Sequence, residues 1–286
     1  MDSIQKIPAS AFPPQLKEIP DKPKRLYARG NLPNWDEFKF LCVVGSRKYT
    51  PYGKEVCEHL IAGLSQYPIV IVSGLAMGID SIAHRAALKA NLKTIAIPGS
   101  GLDWNALYPS SHRHLAEDII KNKGCLISEF EPDFRATTWS FPQRNRIMAG
   151  MCHAVLIVEA ENKSGTLITS KLATEYNRDV FAVPGSIFSR NSAGPLMLIK
   201  LGATPVENSR DIVIGLGLKT GNEETEKDYS DCSPEELLII GKLVTPKTKE
   251  ELLAELELSA SDANIILSTM ELKGIIKESM GEIRLS

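Results

Sequence analysis

Phe40-Leu41-Cys42-Val43-Val44-Gly45-Ser46-Arg47 is the stretch on which the fold turns. Five apolar residues run without interruption and stop at a glycine. A strand with one wet face alternates apolar and polar residues, whereas a strand covered on both faces does not. The run therefore reads as a buried parallel strand, and Gly45 as the turn that ends it. Outward from it the pattern recurs at Ile69-Val70-Ile71-Val72, Thr94-Ile95-Ala96-Ile97, Val155-Leu156-Ile157-Val158 and Val180-Phe181-Ala182-Val183, and more weakly at Leu126-Ile127-Ser128. Helical segments lie between: Val56, Leu60 and Leu64 share a face, Ala83, Ala86, Ala87 and Ala90 follow the next strand, and another helix spans Leu167 to Asn177. Strands alternating with helices at this spacing predict an α/β fold, an extended Rossmann-like, doubly wound, mostly parallel sheet over residues 40–218.

On either side the pattern changes. Residues 1–39 are rich in Pro, Lys and Asn and read as an irregular N-terminal arm wrapped on the main domain. Residues 219–233 are polar and aperiodic, and read as a linker. Ser233-Pro234-Glu235-Glu236 then opens a helix with a capping serine, a proline and two acids. Helices at Pro234 to Leu243, Thr248 to Leu256 and Ser261 to Lys273, with short strands around Ile275–Glu278 and Glu282–Leu285, predict a small winged-helix-like domain over 234–286.

The 286 residues are 43% hydrophobic, enough for a sizeable core. No apolar run approaches the roughly 20 residues that cross a bilayer, and residues 1–20 lack a signal-peptide core, so no membrane partner and a cytoplasmic location are expected. Five scattered cysteines, none in a CxxC pair, suit reduced buried thiols better than a disulfide framework or a zinc site. The net charge of −2 conceals an asymmetry. Residues 222–286 hold 15 Asp/Glu and 7 Lys/Arg, a net −8, while the preceding 221 residues hold 26 Lys/Arg and 20 Asp/Glu, a net +6. The larger part can supply the local basic field that phosphates need.

Open α/β sheets bind ligands at the carboxyl ends of their strands, and the informative loops fall there. Gly45-Ser46-Arg47 offers a close-approaching backbone, a hydroxyl and a guanidinium that can grip a phosphate; it also reads as a plain strand-to-helix turn. Ser73-Gly74-Leu75-Ala76-Met77-Gly78-Ile79-Asp80 opens a helix and suits an anion, but its glycines are four apart, so a dinucleotide cofactor is poorly supported. Pro98-Gly99-Ser100-Gly101 is equally glycine-rich. Lys163-Ser164-Gly165-Thr166 offers hydroxyls and free N–H groups at a helix start. Phe141-Pro142-Gln143-Arg144-Asn145-Arg146, preceded by Trp139, sets cations beside rings, the combination that a single-stranded nucleic acid needs; the rings also read as core. Lys171 is a further basic candidate. There is no P-loop, HExxH or GxSxG, so no catalytic residue, metal or cofactor is expected. His84 shares a helix face with Asp80, which predicts a local structural pairing.

In order along the chain, Val43-Val44-Gly45-Ser46-Arg47, Ser73 to Asp80 with Ala83-His84, Gly101-Leu102-Asp103 with Tyr108-Pro109, Ser128-Glu129, Phe141 to Arg146, Glu159-Ala160 with Ser164 to Thr169, and Pro184-Gly185 are similar to the DNA-processing protein A (DprA/Smf) family over about residues 20–214. The resemblance implies a non-catalytic, dimerising Rossmann-like domain that binds and protects incoming single-stranded DNA and hands it to a RecA-type recombinase during natural transformation. It places Gly45, Ser46, Arg47, Phe141, Arg144, Asn145 and Arg146 at the DNA. The chain departs from the family in lacking room within residues 1–39 for the helical domain with which many members begin, and in carrying Met77 where arginine is frequent. The rivals are a LOG-type nucleotide phosphoribohydrolase, which would use a PGGxGT-type loop and a nearby glutamate, and a small-nucleotide sensor using the same glycine loops.

Overall fold

Val and Ile fill the expected strands because β-branched side chains pack well on a pleated surface covered from both sides. The computed structural model describes residues 3–220, 229, 231–256, 260–279 and 281–285; residues 221–228 and 230 of the expected linker lie outside them. The chain divides into two compact units, residues 1–220 and 221–286. The first contains, in order, β1 (Ile4–Ile7), α1 (Pro14–Glu18), β2 (Leu26–Gly30), β3 (Lys39–Val44), α2 (Pro51–Ala62), β4 (Ile69–Ser73), α3 (Ile79–Lys89), β5 (Thr94–Ala96), α4 (Arg113–Lys121) and β6 (Cys125–Ser128). It continues with α5 (Ser140–Met151), β7 (Ala154–Ile157), α6 (Thr166–Glu175), β8 (Asp179–Ala182), α7 (Ala193–Lys200), β9 (Thr204–Pro205) and α8 (Ser209–Gly215).

These strands form one nine-stranded sheet in the order β1-β2-β6-β5-β4-β3-β7-β8-β9. Neighbours are parallel from β6 through β9, and the sheet is doubly wound. From β3 the chain lays β4, β5 and β6 to one side and β7, β8 and β9 to the other, so the order reverses between β3 and β7. Alternate residues of β3 serve two cores. Phe40, Cys42 and Val44 face the one that α1 and α5 cover. Leu41 and Val43 face the other, with Leu60 and Ile61 of α2 and Ile79 and Ala83 of α3. Each fully buried aliphatic or phenyl side chain contributes about 1.5–3 kcal/mol. Cys42, Cys57, Cys125 and Cys152 are buried free thiols within these layers.

The arm expected to be irregular is, over residues 3–39, built of regular elements. β1 pairs antiparallel with β2, and β2 pairs antiparallel with β6, Tyr27 opposite Ser128 and Arg29 opposite Leu126. The hairpin covers a sheet edge that would otherwise present unpaired backbone groups. Between its strands, Leu16 and Ile19 are buried against Gly150 of α5.

The second unit has its own core, built on Ile239, Leu252, Leu267, Met270, Ile276 and Ile283. Its elements are α9 (Pro234–Lys242), β10 (Lys247–Thr248), α10 (Lys249–Glu255), α11 (Ala260–Leu272), β11 (Ile276–Ser279) and β12 (Glu282–Leu285), with the strands in the order β10-β12-β11. Ser233 with Glu236, and Thr248 with Glu251, form reciprocal caps at the starts of α9 and α10. Among the described residues, no helix is long and apolar enough to cross a membrane.

Candidate nucleic-acid interface

The loops after β3 and β7 diverge at the point where the strand order reverses, and a cleft of about 490 Å³ opens between them. Its floor is one face of α5: Phe141, Arg144, Asn145 and Met148 line it at helical spacing. Gly45, Ser46, Arg47 and Lys48 form one wall, and Lys163, Ser164, Gly165 and Thr166 the other. The Thr166 hydroxyl ties the walls together by donating to the Gly45 carbonyl at 3.2 Å, and the Thr166 N–H braces its own wall by donating to Ser164 Oγ at 3.2 Å.

Phe141 is half-buried. Gly99 packs beneath its ring, the Tyr108 ring lies 5.5 Å away, and the Arg47 guanidinium carbon sits 5.4 Å from its centroid. Arg47, Lys48 and Lys163 are exposed and have no carboxylate within ion-pair distance among the described residues. Glu161 is the exposed acid on the lining, against these three cations.

Arg144 is different. It is 4% exposed, donates to the Gly74 carbonyl at 2.5 Å and to the Ile97 carbonyl, and holds Asn145 Oδ1 at 3.2 Å. Asp80 accepts from the Gly74 N–H at 3.1 Å. Burial raises the Asp80 carboxyl, while Arg144 and the Ala76 and Gly74 N–H groups pull it back. Burial likewise lowers the Arg144 guanidinium, which Asp80 opposes. Only a glycine fits at 74, because a Cβ there would meet Arg144 Nη1 at 2.4 Å and Asp80 Oδ2 at 2.5 Å. Gly78 has φ +86° and starts α3 tightly against the Ser46 carbonyl. Gly74 and Gly78 therefore shape the cleft from behind, as does Ser73, which is buried and donates to the Val43 carbonyl at 2.6 Å.

Other expected site residues lie elsewhere. Arg146 is two positions from Arg144 on a helix, so it points away. It pairs with Glu129 and lies 3.7 Å from Asp21. Trp139 joins Phe130 and Phe134 in an edge-on cluster at 5.7 and 5.6 Å, outside the cleft lining. Gly101 packs against the Glu131 and Pro132 carbonyls. Lys171 pairs with Glu175 at 3.7 Å along α6. His84 does not pair with Asp80: its Nδ1 lies 2.7 Å from Thr94 Oγ1, and burial lowers its pKa to about 3. Lys48 and Met148, which the sequence reading does not name, lie near the Arg47–Phe141 pair, as does Tyr108 of the Tyr108-Pro109 motif. The signal for Met148 was available, seven residues after Phe141 on one helix face.

Glu159, the glutamate before the Ser164–Thr166 loop, is only 2% exposed and engaged in bonding. It accepts from the Thr50 N–H and hydroxyl at 3.0 and 2.5 Å and from Asn191 at 3.3 Å, bracing the start of α2.

The chain matches the family of DNA recombination-mediator protein A over residues 4–217. It is 40% identical to Protein Smf of Escherichia coli over 252 residues, covering 84% of this chain and 67% of that one. It is 44% identical to DNA processing protein DprA of Streptococcus pneumoniae over 217 residues, 73% of this chain and 74% of the relative. The solved S. pneumoniae DprA superposes with a TM-score of 0.68 at 39% identity, covering 76% of this chain and 75% of the other. DNA processing protein A of Helicobacter pylori, solved to describe its single-stranded DNA binding mode, superposes with a TM-score of 0.67 at 30% identity, covering 74% and 95%. A chain that matches the family model from the first edge strand to the last helix of its α/β unit, with relatives at this identity, belongs to the DNA recombination-mediator protein A (DprA/Smf) family.

Proposed function

We propose that the cleft between β3, β7 and α5 binds single-stranded DNA without chemistry on it. The observation that carries the reading is Arg47: a guanidinium without an ion-pair partner, held above the half-buried Phe141 ring at the mouth of a concave site. Arg47, Lys48 and Lys163 neutralise phosphates and release counterions. Phe141 offers a face to a base, which a duplex keeps stacked and a single strand does not. Arg144 and Asn145 position rather than grip, because the guanidinium is spent on backbone carbonyls. The relative from H. pylori binds single-stranded DNA, and the family membership supports the same substrate here. Titration with short oligonucleotides against mononucleotides tests this. Preference for oligonucleotides, weakened by salt, is expected; saturable mononucleotide binding of equal affinity would favour a nucleotide sensor.

On this reading the protein acts as a homodimer that protects incoming DNA and delivers it to a RecA-type recombinase during transformation. The acidic second unit, with three helices and a small sheet in winged-helix order, serves a protein contact or regulation rather than the main DNA site. Recombinase filament growth on a single strand, with and without this protein, measures the delivery step.

A further inference from the structure

After β8 the chain turns through Ser186-Ile187-Phe188-Ser189, and Phe188 is the most exposed large apolar side chain among the described residues, at 92%. A ring left in water adds nothing to the core. Yet the turn that presents it is fixed. The Ser189 N–H donates to the Ser186 carbonyl at 3.0 Å, and the Phe188 N–H to Ser186 Oγ at 3.2 Å. The turn is fastened at both ends to the chain that follows Arg47. The Tyr52 hydroxyl donates to the Pro184 carbonyl at 2.7 Å, and the Asn191 amide to the Lys48 carbonyl at 2.7 Å. Tyr49 is exposed, and Lys48 and Arg190 are exposed cations without a carboxylate in ion-pair distance among the described residues. Cations and an available ring thus recur on this loop, hydrogen-bonded to the wall of the first cleft.

We infer that Phe188 is a second base-stacking station, reached by a single strand that leaves the Arg47–Phe141 cleft across Lys48 and toward Arg190. The inference rests on the reading that the cleft binds single-stranded DNA. Two features favour a nucleic acid over a protein at this turn. Its apolar surface is two side chains, Ile187 and Phe188, far below the roughly 800 Å² that each partner contributes to a stable protein interface. Its flanking charges are positive and unpaired, as backbone tracking requires. Such a station matters only when the strand is long enough to span both rings.

The test is a ladder of dT oligonucleotides from about 4 to about 16 nucleotides, titrated against the full chain, Phe188→Ala, Phe188→Trp and Arg47→Glu. Phe188→Ala is expected to bind the shortest oligonucleotides as the unaltered chain does and the longest about tenfold more weakly, with the salt slope unchanged. Phe188→Trp should keep the affinity, and its fluorescence should be quenched by long oligonucleotides alone. If Phe188→Ala matches the unaltered chain at every length while Arg47→Glu binds weakly, the second station is wrong and the cleft reading stands. If the unaltered chain binds no oligonucleotide, both fall. If Phe188→Ala changes the sedimentation of the free protein and has no length-dependent effect, the ring is a contact between copies and the inference is overturned.

Discussion

The two units handle charge in opposite ways. In the second, three lysines are matched, Lys242 and Lys247 within 4.0 and 2.5 Å of Glu255 and Lys273 within 2.7 Å of Glu236, while other acids cap helices and Lys249 stands at the start of α10 beside Glu250 and Glu251. In the α/β unit, Arg144 and Arg146 are consumed by braces, but Arg47, Lys48 and Lys163 are left without carboxylate partners around one concave edge. A binding surface for a polyanion is marked by cations that the fold does not use, gathered where a strand can reach them. Net charge, −2 for the whole chain, carries none of that information.

The comparison breaks most directly at Arg144. If it is a brace, Arg144→Leu leaves Asp80 buried without its compensating charge and frees two carbonyls, and should cost about 3–5 kcal/mol of stability. Urea denaturation of the α/β unit measures this. A variant of unaltered stability that has lost only DNA affinity would move Arg144 into the group of unused cations.

Acid should then separate the units. His84 is neutral when folded, with a pKa lowered to about 3 by burial, against 6.5 when unfolded. Between those values the unfolded chain binds the extra proton, so stability is complete above pH 6.5 and falls as pH drops toward 3. At pH 5 the loss is about 2 kcal/mol. The second unit contains no histidine. Its capping Glu236 and Glu251 are held below the usual carboxylate value, by Lys273 and the Ser233 N–H and by Thr248 respectively. Their contribution is present above the ordinary glutamate value and is lost only as pH falls through the lower folded one. Hydrogen exchange at pH 7 and pH 5 should show weakened protection in the α/β unit and none lost in the second. His84→Asn should reduce the difference, leaving the part contributed by His153, whose pKa burial lowers to about 4.

The parallel strands were legible because a strand covered on both faces must be apolar throughout, as Phe40 to Val44 and Ile69 to Val72 are. The edge hairpin was not: Ile4-Gln5-Lys6-Ile7 is too short and too polar to announce a strand, and only its pairing with β2 makes it one. In the site, Gly45 to Arg47, Phe141 and Ser164 to Thr166 were legible as loop ends and ring–cation neighbours. Arg146 and Trp139 fall outside the cleft lining, because a string of residues hides which helix face Arg146 occupies and which rings gather around Trp139. What Arg144 bonds to depends on Gly74 and Ile97, 70 and 47 residues away, a relation that no local pattern encodes.

Within the cleft the two kinds of contact should be separable. Arg47→Glu should weaken every oligonucleotide about tenfold, about 1.4 kcal/mol, and make the slope of log affinity against log salt shallower by about one. Phe141→Ala should cost a similar 1–3 kcal/mol with the slope intact. Trp139→Ala, in a ring cluster outside the lining, should leave affinity alone. Equal losses for Trp139 and Phe141 would mean that the rings act through the fold.

The smallest expected effect is the most direct test of the contrast between the units. A winged-helix-like module that reads DNA does so through a helix presenting cations. Here α11 and its flanks offer Asp262 and Glu271 against Lys273, and Lys273 is held by Glu236; α10 carries Glu250, Glu251 and Glu255 against Lys249. Such a surface repels phosphate. Ending the chain after residue 220 leaves the sheet and its three hydrophobic clusters whole, so a folded fragment is expected by circular dichroism. Its affinity for single strands should stay within a few-fold of the full chain, or rise as a net −8 is removed. A tenfold loss in a folded fragment would show that the second unit contacts DNA despite its charge, and that pairing of cations in the free protein does not disqualify them from binding.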